Sequence, residues 1–185
     1  RQASLRIPAE AVRDSALAVS GLLSDELGGP SVYPPQNERV TMEAFGSNAW
    51  KPSSGEDQYR RGLYTFIQRT SPFAQSIIFD APVPLEICTR RDRSNSPLQA
   101  LTLLNDPVFD EMAKALGERL MRDPGLSVED RIRVSIRTTL GRHADGAEVA
   151  RLNHYLETQQ HRPESERWEN LASILLNLHE FITRD

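Results

Sequence analysis

FDAPVPLEICTRRDRSNSPLQALTLLND, residues 79–106, is the stretch whose reading decides the fold. It holds the only cysteine, Cys88, and the densest arginine run, Arg90, Arg91 and Arg93. Ser96-Pro97-Leu98-Gln99 is a helix start with a mechanism. Ser96 can accept a backbone N–H, Pro97 suits the first helical position, and Gln99 can reach back to the cap. Proline also disfavours helical geometry at Ser96, so the chain must arrive extended. The helix then runs through Leu98, Leu101 and Leu104, which are expected to pin it to the core. Asn105-Asp106-Pro107 ends it and caps the next helix, whose apolar face is Phe109, Met112, Ala113, Leu116 and Leu120. Pro124-Gly125 stops that helix.

Working outward, residues 8–27 read as a first helix. Pro8 opens it, Val12, Ala16, Val19, Leu23 and Leu27 line one face, and Gly28-Gly29-Pro30 ends it. Residues 30–58, rich in Pro, Gly, Ser and Asn, are a long irregular loop, with Val32-Tyr33 a possible edge strand. Trp50 is either a stray aromatic or the anchor of that loop. Residues 59–70, YRRGLYTFIQRT, fit a helix or a strand; the β-branched and aromatic run favours a short strand. Residues 72–79 form a brief helical turn. Beyond 127, three helices follow, on Ile132, Ile136, Thr139 and Leu140, then Val149, Leu152 and Leu156, then Trp168, Leu171, Leu175, Leu178 and Ile182. Short loops make them antiparallel neighbours over 127–183. The expectation is a mainly α single domain, 1–185, of about six helices with that C-terminal three-helix unit and a minor β element near 60–67.

The 185 residues suffice for one core. A net charge of −4, with signs alternating along the chain, argues against a nucleic-acid binder. No run of about 18 apolar residues is available to insert into a membrane. Basic residues other than Lys51 and Lys114 are all arginine or histidine, and arginine pairs carboxylates in bidentate fashion. The chain begins at Arg1 without Met and reads as a piece excised from a longer protein.

Three phrases carry a family resemblance: RRGLYTFIQRT at 60–70, FDAP at 79–82 and RSNSPLQALTLLNDPVF at 93–109. EAVRDSALAVSGLL near the start and LLNLHEFI near the end support it. Together they resemble the planctomycete domain of unknown function 1553. The resemblance implies a predominantly helical C-terminal part of large, exported proteins that also carry a cytochrome c-like domain, hence an extracytoplasmic location. It assigns no biochemical role. Ile67 stands where many members have tryptophan. The haem motif C-x-x-C-H is absent, so no covalent haem is expected here.

The residues offer few chemical constellations. His143, His154, His161 and His179 lack the i, i+4 spacing of helical zinc sites, so neither metal nor cofactor is expected. Cys88 beside arginines reads better as a small buried side chain than as a nucleophile. Asp80 with Glu86 would be the acid pair of a polysaccharide hydrolase, although Asp80 is more simply a turn former. Arg60, Arg61, Arg90, Arg91 and Arg93, with Asp80, Asn95, Gln99 and Asn105, form the best candidate for a binding surface. They would grip neighbouring domains of the same polypeptide or an acidic glycan; alternatively, they tie an irregular loop to helix ends. The leading expectation is a noncatalytic docking or ligand-binding module. A hydrolase and a purely structural spacer are the alternatives.

Overall fold

The computed structural model describes residues 5–36, 50–69, 71–82 and 87–184. Among them are eight α-helices: α1 (Ala9–Ser20), α2 (Ala74–Ile78), α3 (Pro97–Asn105), α4 (Pro107–Met121), α5 (Val128–Leu140), α6 (Gly146–Thr158), α7 (Glu164–Leu176) and α8 (His179–Ile182). Short 3-10 turns occupy Gly55–Tyr59 and Gly62–Tyr64. Strands β1 (Leu5–Arg6) and β2 (Thr183–Arg184) pair antiparallel, Leu5 opposite Arg184 and Arg6 opposite Thr183.

α4 holds the centre. Its predicted face, Phe109, Met112, Ala113, Leu116 and Leu120, is buried throughout. Its principal partner is α7, which buries Trp168, Leu171 and Leu175. The two helices meet closely at Gly117, where a Cβ would stand 2.8 Å from the Glu169 backbone nitrogen and 3.0 Å from the Trp168 carbonyl carbon. Only glycine allows that approach. α1 packs on α4 and buries Val12, Ala16 and Leu17. α5, α6 and α7 touch one another, adding Ile132, Ile136, Val149 and Leu156 to the same core.

The structure corrects the sequence reading at five places. α1 stops seven residues early: Gly21 is left-handed (φ 80°), and the Leu22 and Leu23 N–H groups turn back to the Leu17 carbonyl, leaving Leu27 at 76% exposure. Residues 60–67 form no strand. Gly62 lies against Glu10 of α1 and donates its N–H to Asp14 Oδ1 at 2.6 Å, which fixes a turn there. Among the described residues isolated bridges remain, Ser24 to Arg60 and Val32 to Thr65, and the minor β element lies at β1–β2 instead. Leu178 is not on a continuous last helix: α7 ends at Leu176, the Asn177 N–H returns to the Ser173 and Ile174 carbonyls, and Leu178 is partly exposed. Cys88 is exposed, not buried.

The fifth correction concerns α3. Its start is as expected, a capping box in which Ser96 Oγ accepts the Gln99 N–H and the Gln99 side chain accepts the Ser96 N–H. The inward face, however, is Gln99, Thr102 and Leu103. Leu98, Leu101 and Leu104 are 57%, 54% and 50% exposed. The cause is the Gln99 amide, which donates to the Ile78 carbonyl at 3.0 Å. Once Gln99 faces α2, the helical repeat of about 100° per residue turns the three leucines to the opposite side.

Candidate functional site

Asp80 is the hub of the central stretch. α2 ends in a Schellman-type turn, with the Ala81 N–H on the Ser76 carbonyl and the Asp80 N–H on that of Ile77. Asp80 takes the left-handed position of that turn (φ 56°), a conformation aspartate tolerates better than most residues. Its Oδ2 accepts hydrogen bonds from Arg6 Nη2, Ser94 N and Ser94 Oγ, each at 2.7 Å, and from Gln99 Nε2 at 3.4 Å. Partial burial pushes the carboxyl up, but the bonds from Ser94 and Arg6 outweigh this and hold it below its ordinary range. Arg6 is buried, and its remaining donors reach the carbonyls of Ser94, Ile7 and Phe79. The hub thus ties β1, the end of α2 and the start of α3 together.

Two further arginines are buried on backbone carbonyls rather than carboxylates. Arg60, 1% exposed, donates to Gly28 and Pro30 and lies 4.0 Å from the Tyr64 ring centroid. Arg13 donates to the carbonyls of Arg60 and Gln58 at 2.8 and 2.6 Å. Burial brings its pKa down to about 10, with Asp14 partly opposing the shift. These contacts fasten the loop before residue 60 onto α1. Trp50 anchors the same region: it is buried, donates Nε1–H to the Pro34 carbonyl and stacks on Phe73.

The candidate binding residues therefore divide. Arg60, Asp80 and Gln99 sit within internal networks. Arg61 and Arg91 stand at the surface and pair with α1, Arg61 with Asp14 at 3.6 Å and Arg91 with Glu10 at 2.9 Å. Arg90, Arg93 and Asn95 are exposed on the loop before α3. Asn105 is exposed at the end of α3 and donates to the Leu101 carbonyl. Glu86 lies outside the described residues. Among the described residues no group of three or more His, Cys, Asp or Glu could hold a metal ion, and no helix is long and apolar enough to cross a membrane.

Arg61 and Arg91 border an open groove of about 660 Å³ between the start of α1, residues 61–67 and α2. Its walls carry Leu63, Phe66, Ile67 and Ile77, which are 74%, 36%, 67% and 43% exposed. The ion pairs to Glu10 and Asp14 lie along one rim, so charge there is largely matched and the interior is apolar. Sequence reasoning reached the two arginines but not the groove. Leu63 and Ile67 resemble strand residues, and their place opposite α2 depends on the turn at Gly62.

A second, smaller groove of about 290 Å³ lies on the other side of α2, along Ile78, Leu98 and Leu101. Phe73 lines both grooves. Neither the search of curated proteins nor that of solved structures finds a match. The model of the family described as PSD1, a protein of unknown function (DUF1553), matches residues 1–156, and the chain belongs to that family.

Proposed function

We propose that the chain is a noncatalytic docking module of a larger exported, cytochrome c-linked polypeptide, and that its 660 Å³ groove receives an apolar-sided segment of a neighbouring domain. One observation carries this reading: Leu63, Phe66, Ile67 and Ile77 share one groove while exposed to water. Apolar surface gathered in a concavity marks an interaction site more often than scattered exposed residues do. Covering each of these side chains would stabilise a complex by about 1–2 kcal/mol. The extracytoplasmic placement and the cytochrome partner rest on the family resemblance.

The alternatives have less support. An acidic glycan bound at the groove rim would have to displace Glu10 and Asp14 from Arg91 and Arg61, since both arginines are already paired. A hydrolase would need Asp80 free to exchange a proton, and its Oδ2 accepts four hydrogen bonds that hold the carboxyl ionised. A spacer would have no use for the groove.

The test is binding in trans, by calorimetry, between this chain and the remainder of its polypeptide. Saturable binding that Ile67→Asp weakens at least tenfold, with Arg93→Ala neutral, is the expected result. Absence of binding, or binding indifferent to Leu63→Asp and Ile67→Asp, would sink the reading. Binding of a heparin fragment that Arg61→Ala and Arg91→Ala abolish would replace it with the glycan.

A further inference from the structure

α3 presents an apolar face that is at least half exposed and that no other described helix covers. Leu98, Leu101 and Leu104 lie opposite Gln99, Thr102 and Leu103, and each is at least half exposed. Three-residue steps on a helix of 3.6 residues per turn drift by about 60° each, so the leucines span about a third of the circumference. That face is wide enough for a second helix. Leu101 is the middle residue of α3, with Leu98 and Leu104 placed symmetrically about it.

The two ends of this face differ in charge. The loop leading into α3 exposes Arg90 and Arg93, which outnumber the exposed Asp92 between them and have no ion-pair partner among the described residues, so the loop is basic on balance. At the other end stand Asp106, which caps α4, and Glu111, which accepts the Tyr59 hydroxyl at 2.5 Å. Glu111 adjoins the surface that carries Leu98 and Leu101. The groove along Leu98 and Leu101 and the adjoining one at Glu111 share Pro35, Gln36, Asp106 and Val108. The face is therefore basic, apolar, acidic from N- to C-terminus. An occupant must read acidic, apolar, basic in register with it, and a second α3 laid antiparallel does so. The helix dipoles of such a pair would also oppose favourably.

From this we propose that α3 is a self-association face on which two copies of the chain pair about a twofold axis through Leu101, with Arg90 and Arg93 of each copy facing Asp106 and Glu111 of the other. A twofold interface is self-complementary, which the central Leu101 and the opposed charges satisfy. Three leucines per copy make a small contact, so the dimer is a weak one. This face adjoins the groove assigned to the neighbouring domain at Phe73 and at the 90–93 loop, but Leu101→Glu and Ile67→Asp lie on different sides of α2 and test the two readings separately.

Sedimentation equilibrium of the whole chain from about 5 to 500 µM tests it, a range suited to a weak interface. The expected mass rises from 20.8 kDa towards twice that value. Leu101→Glu, at an exposed helical site, should keep the thermal midpoint and weaken association at least tenfold. Arg93→Glu or Glu111→Arg alone should weaken it, and more so at low salt, while the two together in one chain should restore it. A constant 20.8 kDa would overturn the proposal. So would a dimer indifferent to Leu101→Glu, or a double charge reversal that fails to rescue. Leucines protected from solvent only when the rest of the polypeptide is added to a monomeric chain would instead assign this face to another domain.

Discussion

Asp80→Asn is expected to destabilise the fold by about 2–3 kcal/mol, although it changes only one atom. Removing one partner of a buried ion pair costs about 3–5 kcal/mol, because the other charge stays behind uncompensated. Three features of the structure reduce that figure. The Asp80 side chain is 24% exposed. Arg6 keeps three carbonyl acceptors, on Ile7, Phe79 and Ser94. The amide oxygen of asparagine can still accept one of the four hydrogen bonds. Backbone strain contributes little, since asparagine also tolerates the left-handed conformation at φ 56°. Urea unfolding followed by far-UV circular dichroism measures the loss as a lower midpoint at unchanged slope. The cause is checked by repeating the substitution in an Arg6→Met background, where no stranded charge remains and Asp80→Asn should cost clearly less. A loss under about 1 kcal/mol, the scale of one ordinary hydrogen bond, would refute the reasoning. Additive losses in the double mutant would refute it too.

Gly117→Ala should cost about 1–3 kcal/mol despite alanine's higher helix preference, because its Cβ would meet the α7 backbone at 2.8–3.0 Å. A thermal midpoint unchanged or raised would show that α4 and α7 are not so close. The Arg142 clamp predicts an acid limb of stability. Arg142 donates Nη1 to Glu148 Oε2 at 2.8 Å and Nη2 to Oε1 at 2.6 Å, and chiefly through these bonds the Glu148 pKa falls to about 2 from an ordinary 4.5. A depressed carboxyl stabilises above its unfolded value and loses that contribution as pH falls through its folded one. Glu148→Gln should therefore cost about 1 kcal/mol at pH 7, after allowance for solvent screening, and remove the part of the decline between pH 4.5 and about 2 that belongs to this group. Equal pH dependence in both proteins would show the clamp to be idle.

The helices that carry strong caps and sustained periodicity were legible in the sequence. Ser96-Pro97-Leu98-Gln99 announced α3, and the α4 face was read residue by residue, because both signals are local. The orientation of α3 was not legible. Its leucines satisfy the inward pattern, and the distant partners of Gln99, the Ile78 carbonyl and Asp80, together with the burial of Leu103, turn them outward. The sequence overextends α1 because Gly21 alone is a weaker stop than Gly28-Gly29-Pro30, while the return of two N–H groups to Leu17 is a three-dimensional fact. The candidate site split for a similar reason. Arg60 and Arg91 look alike in sequence, yet one fastens a loop to carbonyls and the other rims a groove. Arg6 and Arg13 escaped notice, since no neighbouring residue marks a cation for burial. Asp80 reads as a turn former and does take the left-handed position after α2, but its ties to Arg6 and Ser94 span 74 and 14 residues and have no local signal.

The pairing of β1 with β2 has a mechanical consequence. Leu5 lies opposite Arg184, so the chain enters and leaves at the same end of a two-residue ribbon. Tension on the two ends would act across this ribbon, parting its hydrogen bonds in succession instead of loading them together in shear. Arg6 is the next residue in line, and its side chain is the latch on Asp80. A pull on the ends would therefore release β1, then the latch, then the seat of α3, while the α4–α7 core lay outside the line of force.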